Sequence, residues 1–212
     1  MDERFTTSSI DIPAPRAHDV AARLRGRRVA LRPLTAQDYD FVYSISTAPE
    51  NLVRWRFRGS TPSPEAFIQS LWQGVMAQFM ITRPDDGAPV GLIYCYNTDP
   101  RSQTTHIAII IAPEYERQGW VMDAFTLFIG YLFETWNLRK VYYETIEFNY
   151  AQFASGAGSH FHVEGCFKDH EFHAGQYWHI YTLAFYREEW LTMSDRTLAY
   201  VLGTPPSVKH PQ

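Results

Sequence analysis

Cysteine is scarce: Cys95 and Cys166 are the two in 212 residues. That is too few for a disulfide framework, and their separation lacks metal-site spacing. A reducing compartment is the expectation. No run approaches the ~20 apolar residues of a membrane span, and the N-terminal segment holds no apolar core of signal-peptide length. These absences predict a soluble, cytoplasmic protein without a membrane partner. Internal repeats and low-complexity tracts are also missing. Basic charge is in deficit, with 19 Lys and Arg against 23 Asp and Glu and a net charge of −4, which argues against general nucleic-acid affinity.

Aromatic residues, in contrast, make up 16% of the chain, enough for a ring-rich core or a pocket lined by flat side chains. Charge is unevenly spread. Residues 1–60 carry a local +3 and the remainder a local −7. Arg23, Arg25, Arg27, Arg28 and Arg32, with Arg54, Arg56 and Arg58, supply most of the positive side, either as a solvated face or as a phosphate-binding patch. The length suits one domain with tails. The boundaries expected are an irregular arm over 1–24, a domain over 25–192 and a polar tail over 193–212.

Within the domain, Gly26–Leu34 alternates with period two and predicts a first strand, followed by a helix capped by Thr35 and running to about Ser46. A second helix opens at Pro62-Ser63-Pro64, with Phe67, Leu71 and Trp72 facing inward. Ala77–Thr82 and Pro89–Asn97 form a hairpin around Pro84-Asp85-Asp86-Gly87. Arg139–Phe148 is a further strand, Tyr150–Ser159 a short, glycine-weakened helix, and His160–Phe172 with Gln176–Tyr186 a closing hairpin.

Between these lies the most informative stretch. Thr104–Ala112 is a β-branched apolar run stopped by Pro113, as a buried central strand would be. A polar loop leads to Gly119, after which Val121, Phe125, Phe128, Leu132 and Trp136 share one helix face. Strand, glycine loop and helix aim unpaired amides and a helix dipole at one spot, where an anion such as a phosphate would sit.

These residues resemble the GNAT superfamily of N-acyltransferases, in its RimJ/RimL-like branch. Pro113, Glu114, Gly119 and Ala124 match that family's loop, with Asp123 where Glu is favoured. Glu116 stands in place of the loop's Gln or Arg, and Val121 in place of its second Gly or Ala. Asn149, Phe161, Glu164, Gly165, Gly175, Arg187, Glu189 and Trp190 continue the resemblance at matching spacings, so that it covers residues 26–190. It implies an α+β fold, a mostly antiparallel sheet flanked by helices. It also implies acyl transfer, most simply of acetyl from acetyl-CoA to a primary amine of a small molecule or peptide, with no metal.

The resemblance also assigns residues. The pyrophosphate would lie on the loop amides of Arg117, Gln118, Gly119, Trp120, Val121 and Met122, and the pantetheine arm on the backbones of Ile109 and Ile111, with Asn149 nearby. His106 stands near the strand start, where the family commonly has a glutamate base; an imidazole suits that role near neutral pH. Glu144, Glu147 and Glu171 are the reserve carboxylates. The positions of the hydroxyls that commonly protonate the leaving thiolate hold Gln152 and Gly156. His160 and His162 share a strand face but lack an evident third metal ligand, and His179 faces the acceptor. The altered loop and missing hydroxyl leave two alternatives open: an aminoacyl-tRNA donor in a natural-product pathway, and a non-catalytic GNAT-fold binding module.

Overall fold

The computed structural model describes residues 24–203 except 53, 54, 117, 153, 155, 156 and 159. Seven strands form one sheet: β1 Ala30–Pro33, β2 Val75–Thr82, β3 Pro89–Asp99, β4 Thr104–Ile111, β5 Lys140–Ile146, β6 His162–His173 and β7 Gln176–Tyr186, in the order β1-β2-β3-β4-β5-β7-β6. The helices are α1 Tyr39–Thr47, α2 Pro49–Leu52, α3 Pro64–Ser70, α4 Trp120–Thr135, α5 Glu147–Tyr150 and α6 Arg187–Leu202. The α+β class and the mostly antiparallel sheet are as the sequence predicts. No helix among the described residues is long and apolar enough to cross a membrane.

Alternation along the central strands divides the core. Ile107 and Ile111 of β4, with Ile93 and Cys95 of β3, join Phe125, Phe128 and Leu132 of α4 on one face. Ile110, with Leu92 and Tyr94 of β3, joins Val42 and Ile45 of α1 and Phe67 of α3 on the other. β4 is thus covered on both faces, which its nearly unbroken apolar run demands.

Several boundaries differ from expectation. Gly26 N–H bonds Val29 O at 2.7 Å, a tight turn that delays β1 to Ala30. At Gly26 a Cβ would stand 3.0 Å from Val201, so this glycine lets α6 approach. Where a tail was expected from 193, α6 instead runs to Leu202, because Val201 is buried and its carbonyl accepts from Arg27 N–H at 2.8 Å. The arm over 1–23 and the tail beyond 203 lie outside the described residues. Trp72, expected inside, is exposed because α3 ends at Ser70. Trp136 is also exposed, since α4 stops one residue earlier and the chain turns extended there.

Two closing devices explain matched positions. Arg187 donates Nε to Leu138 O and Nη1 to Phe133 O, both at 2.5 Å, and Nη2 to Trp136 O. One guanidinium thereby satisfies carbonyls at and just beyond the C-terminal turn of α4, which lack helical donors. Trp190 is buried against Phe133, with ring centroids 6.4 Å apart.

Candidate active site

Of the neighbouring strands described, β4 and β5 alone run parallel. Their register covers Thr104↔Lys140 to Ile107↔Tyr143. Beyond it β4 continues along β3 to Ile111, and β5 along β7 to Ile146, so the sheet opens between them. Ala112 N–H donates to Val90 O of β3 at 2.9 Å. By strand alternation the amides of Ala108 and Ile110 then face β3, and those of Ile109 and Ile111 face the opening.

The chain leaves β4 by a 3-10 turn, Pro113–Tyr115, and reaches Gly119, the N-cap of α4, with φ +81°. Asp123 N–H closes the first helical turn on Gly119 O at 3.2 Å. The amides of Trp120, Val121 and Met122 precede that bond and have no acceptor within the helix. Side chains of the loop order the loop itself: Gln118 Nε2 donates to Glu114 O at 2.9 Å, and Trp120 Nε1 to Gln118 Oε1 at 3.3 Å. Val121 packs partly on the core and Met122 is exposed. Arg117 lies outside the described residues. Glu116 is exposed at the loop surface.

Arg28, from the turn before β1, locks this corner. It donates to both Asp123 carboxylate oxygens at 2.7 Å and to Gln118 O at 3.1 Å. A Cβ at Gly119 would stand 2.6 Å from its Nη1. The buried Asp123 is thereby compensated, as a buried carboxylate must be, and the loop is fastened to the start of the domain.

His106 lies near the other end of β4, on the α1–α3 face. Its imidazole is half-buried between two rings, Tyr142 at 5.1 Å and Tyr96 at 5.5 Å. Nδ1 is out of water with no partner among the described residues. Burial lowers the imidazole pKa below its ordinary 6.5, and the charge of Glu144 opposes the shift. The ring is thus held neutral near pH 7, the state a base requires.

Of the carboxylates, Glu144 comes nearest to this arrangement: it lies two residues from Tyr142 on the same strand face and acts electrostatically on both His106 and Tyr96. The structure does not bring Glu147 and Glu171 to the imidazole as paired bases. Glu147 opens α5, roughly 16 Å along the chain from Tyr142 at strand rise. Glu171, on β6, is engaged by Arg58 Nη1 at 3.1 Å. That ion pair ties the β6–β7 hairpin to the segment before α3. Asn149 sits within α5, after the opening. Gln152 is exposed; Ser155, Gly156 and Ser159 lie outside the described residues.

The other histidines are engaged elsewhere. His162 Nε2 lies 2.8 Å from Glu189, and His179 Nδ1 accepts from Asp169 N–H at 3.0 Å. His179 therefore fastens a bulged part of β6. Among the described residues, no group of three or more His, Cys, Asp or Glu side chains could hold a metal ion. Sequence reasoning missed Tyr96 and Tyr142 and the carboxylate partners of Arg28 and Arg58, which depend on cross-strand register and long-range contact.

Residues 28–155 match the acetyltransferase (GNAT) domain family. No curated protein matches the chain in sequence. Solved structures share the fold. A spermidine N-acetyltransferase from Vibrio cholerae in complex with CoA and spermine is 20% identical with a TM-score of 0.66, over 77% of this chain and 98% of that one. A GNAT-family acetyltransferase from Bacillus anthracis is 18% identical with a TM-score of 0.63, over 78% and 98%. With the family match spanning more than half its length, and the splayed strands and glycine-capped helix in place, the chain belongs to the GNAT acetyltransferase family.

Proposed function

We propose that the protein is an N-acetyltransferase of the RimJ/RimL-like branch, acting on a primary amine of a small molecule or peptide with acetyl-CoA as donor. The observation that carries this reading is the opening between β4 and β5, with the Ile109 and Ile111 amides along one edge and the uncapped amides of α4 beyond the strand's end. The fit is through backbone, so bulky isoleucines are acceptable at those positions. Three amides in the first turn of α4, at the positive end of its dipole, suit a pyrophosphate.

Acetyl-CoA supplies the acetyl group as a thioester: the C–N bond forms, the C–S bond breaks, and the ammonium loses two protons, one to the CoA thiol and one to solvent. His106 accepts the solvent-bound proton in its neutral form. Ile109 and Ile111 amides orient the donor, and Tyr96 and Tyr142 hold the imidazole. Calorimetric titration with acetyl-CoA and with CoA tests the reading. Micromolar binding supports it, and no binding at millimolar ligand overturns it.

Glu116 favours a second reading. A carboxylate on the loop surface disfavours a pyrophosphate, and the fold would then serve an aminoacyl-tRNA donor. Binding of charged tRNA, with none of CoA, would select it.

A further inference from the structure

Resting on the acetyltransferase reading, we infer that the acceptor is an aromatic monoamine, a flat ring bearing one ammonium group on a short arm. The face of the sheet beside the opening is a floor of rings. Tyr96, His106 and Tyr142 form one cross-strand row, with Tyr94 joined to it at 5.7 Å from Tyr96. Tyr96, His106 and Tyr142 are only half-buried, so parts of these rings remain accessible. Trp55 stands edge-on to Tyr94 at 5.5 Å, and Phe57 packs on Phe67 at 5.7 Å, so the segment before α3 adds an aromatic wall. Offset and edge-to-face ring contacts suit a planar apolar body.

The charges around that floor limit the acceptor to one ammonium. Glu171 is neutralised by Arg58, at 3.1 Å. Arg56 places a guanidinium 4.8 Å over the Tyr94 ring and donates to Ser70 O at 2.8 Å. Glu144 is exposed, and among the described residues it has no ion-pair partner. A polyamine extended along this face would meet the Arg56 guanidinium, the neutral Arg58–Glu171 pair and one unpaired carboxylate. A single ammonium beside Glu144, with its ring on Tyr142 and Tyr96, meets an attractive charge and lies within the row that holds the candidate base.

The test compares 2-phenylethylamine, n-hexylamine and spermidine by CoA release from acetyl-CoA. We expect kcat/KM for 2-phenylethylamine to exceed both others at least tenfold; spermidine or hexylamine turned over equally well would overturn the inference. The same amines are titrated calorimetrically into the protein with and without CoA. If none is acetylated, tenfold tighter binding of 2-phenylethylamine still supports the aromatic floor, and equal or absent binding overturns it. Acetyl-CoA binding in the parallel titration judges the acetyltransferase reading separately. Arg58→Gln should free the Glu171 carboxylate and raise the spermidine to phenylethylamine ratio at least fivefold. Tyr142→Leu should bring the phenylethylamine to hexylamine ratio close to one, with acetyl-CoA affinity unchanged. An unmoved ratio in either variant counts against the inference.

Discussion

The His106 imidazole is stacked on the Tyr142 ring, with 5.1 Å between centroids and 29° between planes, one register pair before β4 and β5 part. The stack fixes a titratable group where the sheet begins to open. His106→Ala should lower kcat/KM by about a hundredfold or more while leaving CoA affinity intact. Steady-state kinetics with calorimetry check this, and an unchanged rate removes His106 from the mechanism.

A base acts in its neutral form, so activity should rise with pH through the His106 pKa, which burial places below 6.5. Glu144 opposes that shift by favouring the imidazolium. Glu144→Gln removes the opposing charge, so the acid limb of the kcat/KM profile should move to lower pH. A limb that stays in place or moves upward would separate Glu144 from His106.

Gly119 combines φ +81° with an Arg28 guanidinium that a Cβ would have to displace. Gly119→Ala should cost about 1 kcal/mol of stability from backbone conformation and weaken CoA binding by displacing Arg28. Gly119→Asp should weaken it further through charge. Equal affinity in both variants would move the donor's anion away from this loop.

Removing Arg187 takes the guanidinium donors from the Phe133 and Leu138 carbonyls and leaves Trp136 O with the Leu138 N–H alone. Arg187→Ala should destabilise the protein by about 2–4 kcal/mol, read from urea unfolding. A loss within experimental scatter would mean that water replaces the guanidinium fully.

Asp38 accepts from Arg32 at 2.6 and 2.8 Å and from Thr35, and the Arg32 hydrogen bond chiefly lowers its pKa from 3.8 to about 2. A depressed carboxylate contributes stability above its unfolded pKa and loses it as pH falls through the folded one. Asp38→Asn should therefore be less stable than the parent by about 1 kcal/mol at pH 7, discounted for the half-open Arg32. The gap should shrink between about pH 4 and pH 2. A constant gap across that range would remove this ion pair as its source.

The strand–loop–helix around Gly119 was legible because each part leaves a local mark: a β-branched run, a stop at Pro113, a glycine, and apolar residues at helical spacing. Register left no such mark. Nothing local to Tyr142 or Tyr96 says that they flank His106, since the Tyr142 pairing joins segments that are apart in the chain and the Tyr96 pairing depends on the register of β3 on β4. Arg28 and Arg58 read as a solvated face or a phosphate-binding patch for the same reason; their carboxylate partners lie 95 and 113 residues away. Misplaced Trp72 and Trp136 show the converse limit, that periodicity carries a pattern past the residue where the helix has ended.

The helix proposed to hold the donor is gripped at its beginning by Arg28 through Asp123, and at its end by Arg187. Those clamps come from opposite ends of the domain. During synthesis α4 emerges with Arg28 already in the chain, but Arg187 arrives only later, since it lies 54 residues beyond Phe133. A nascent chain arrested before Arg187 would therefore carry the helix with its last carbonyls open to water, so that a competent donor site is among the last features this chain completes.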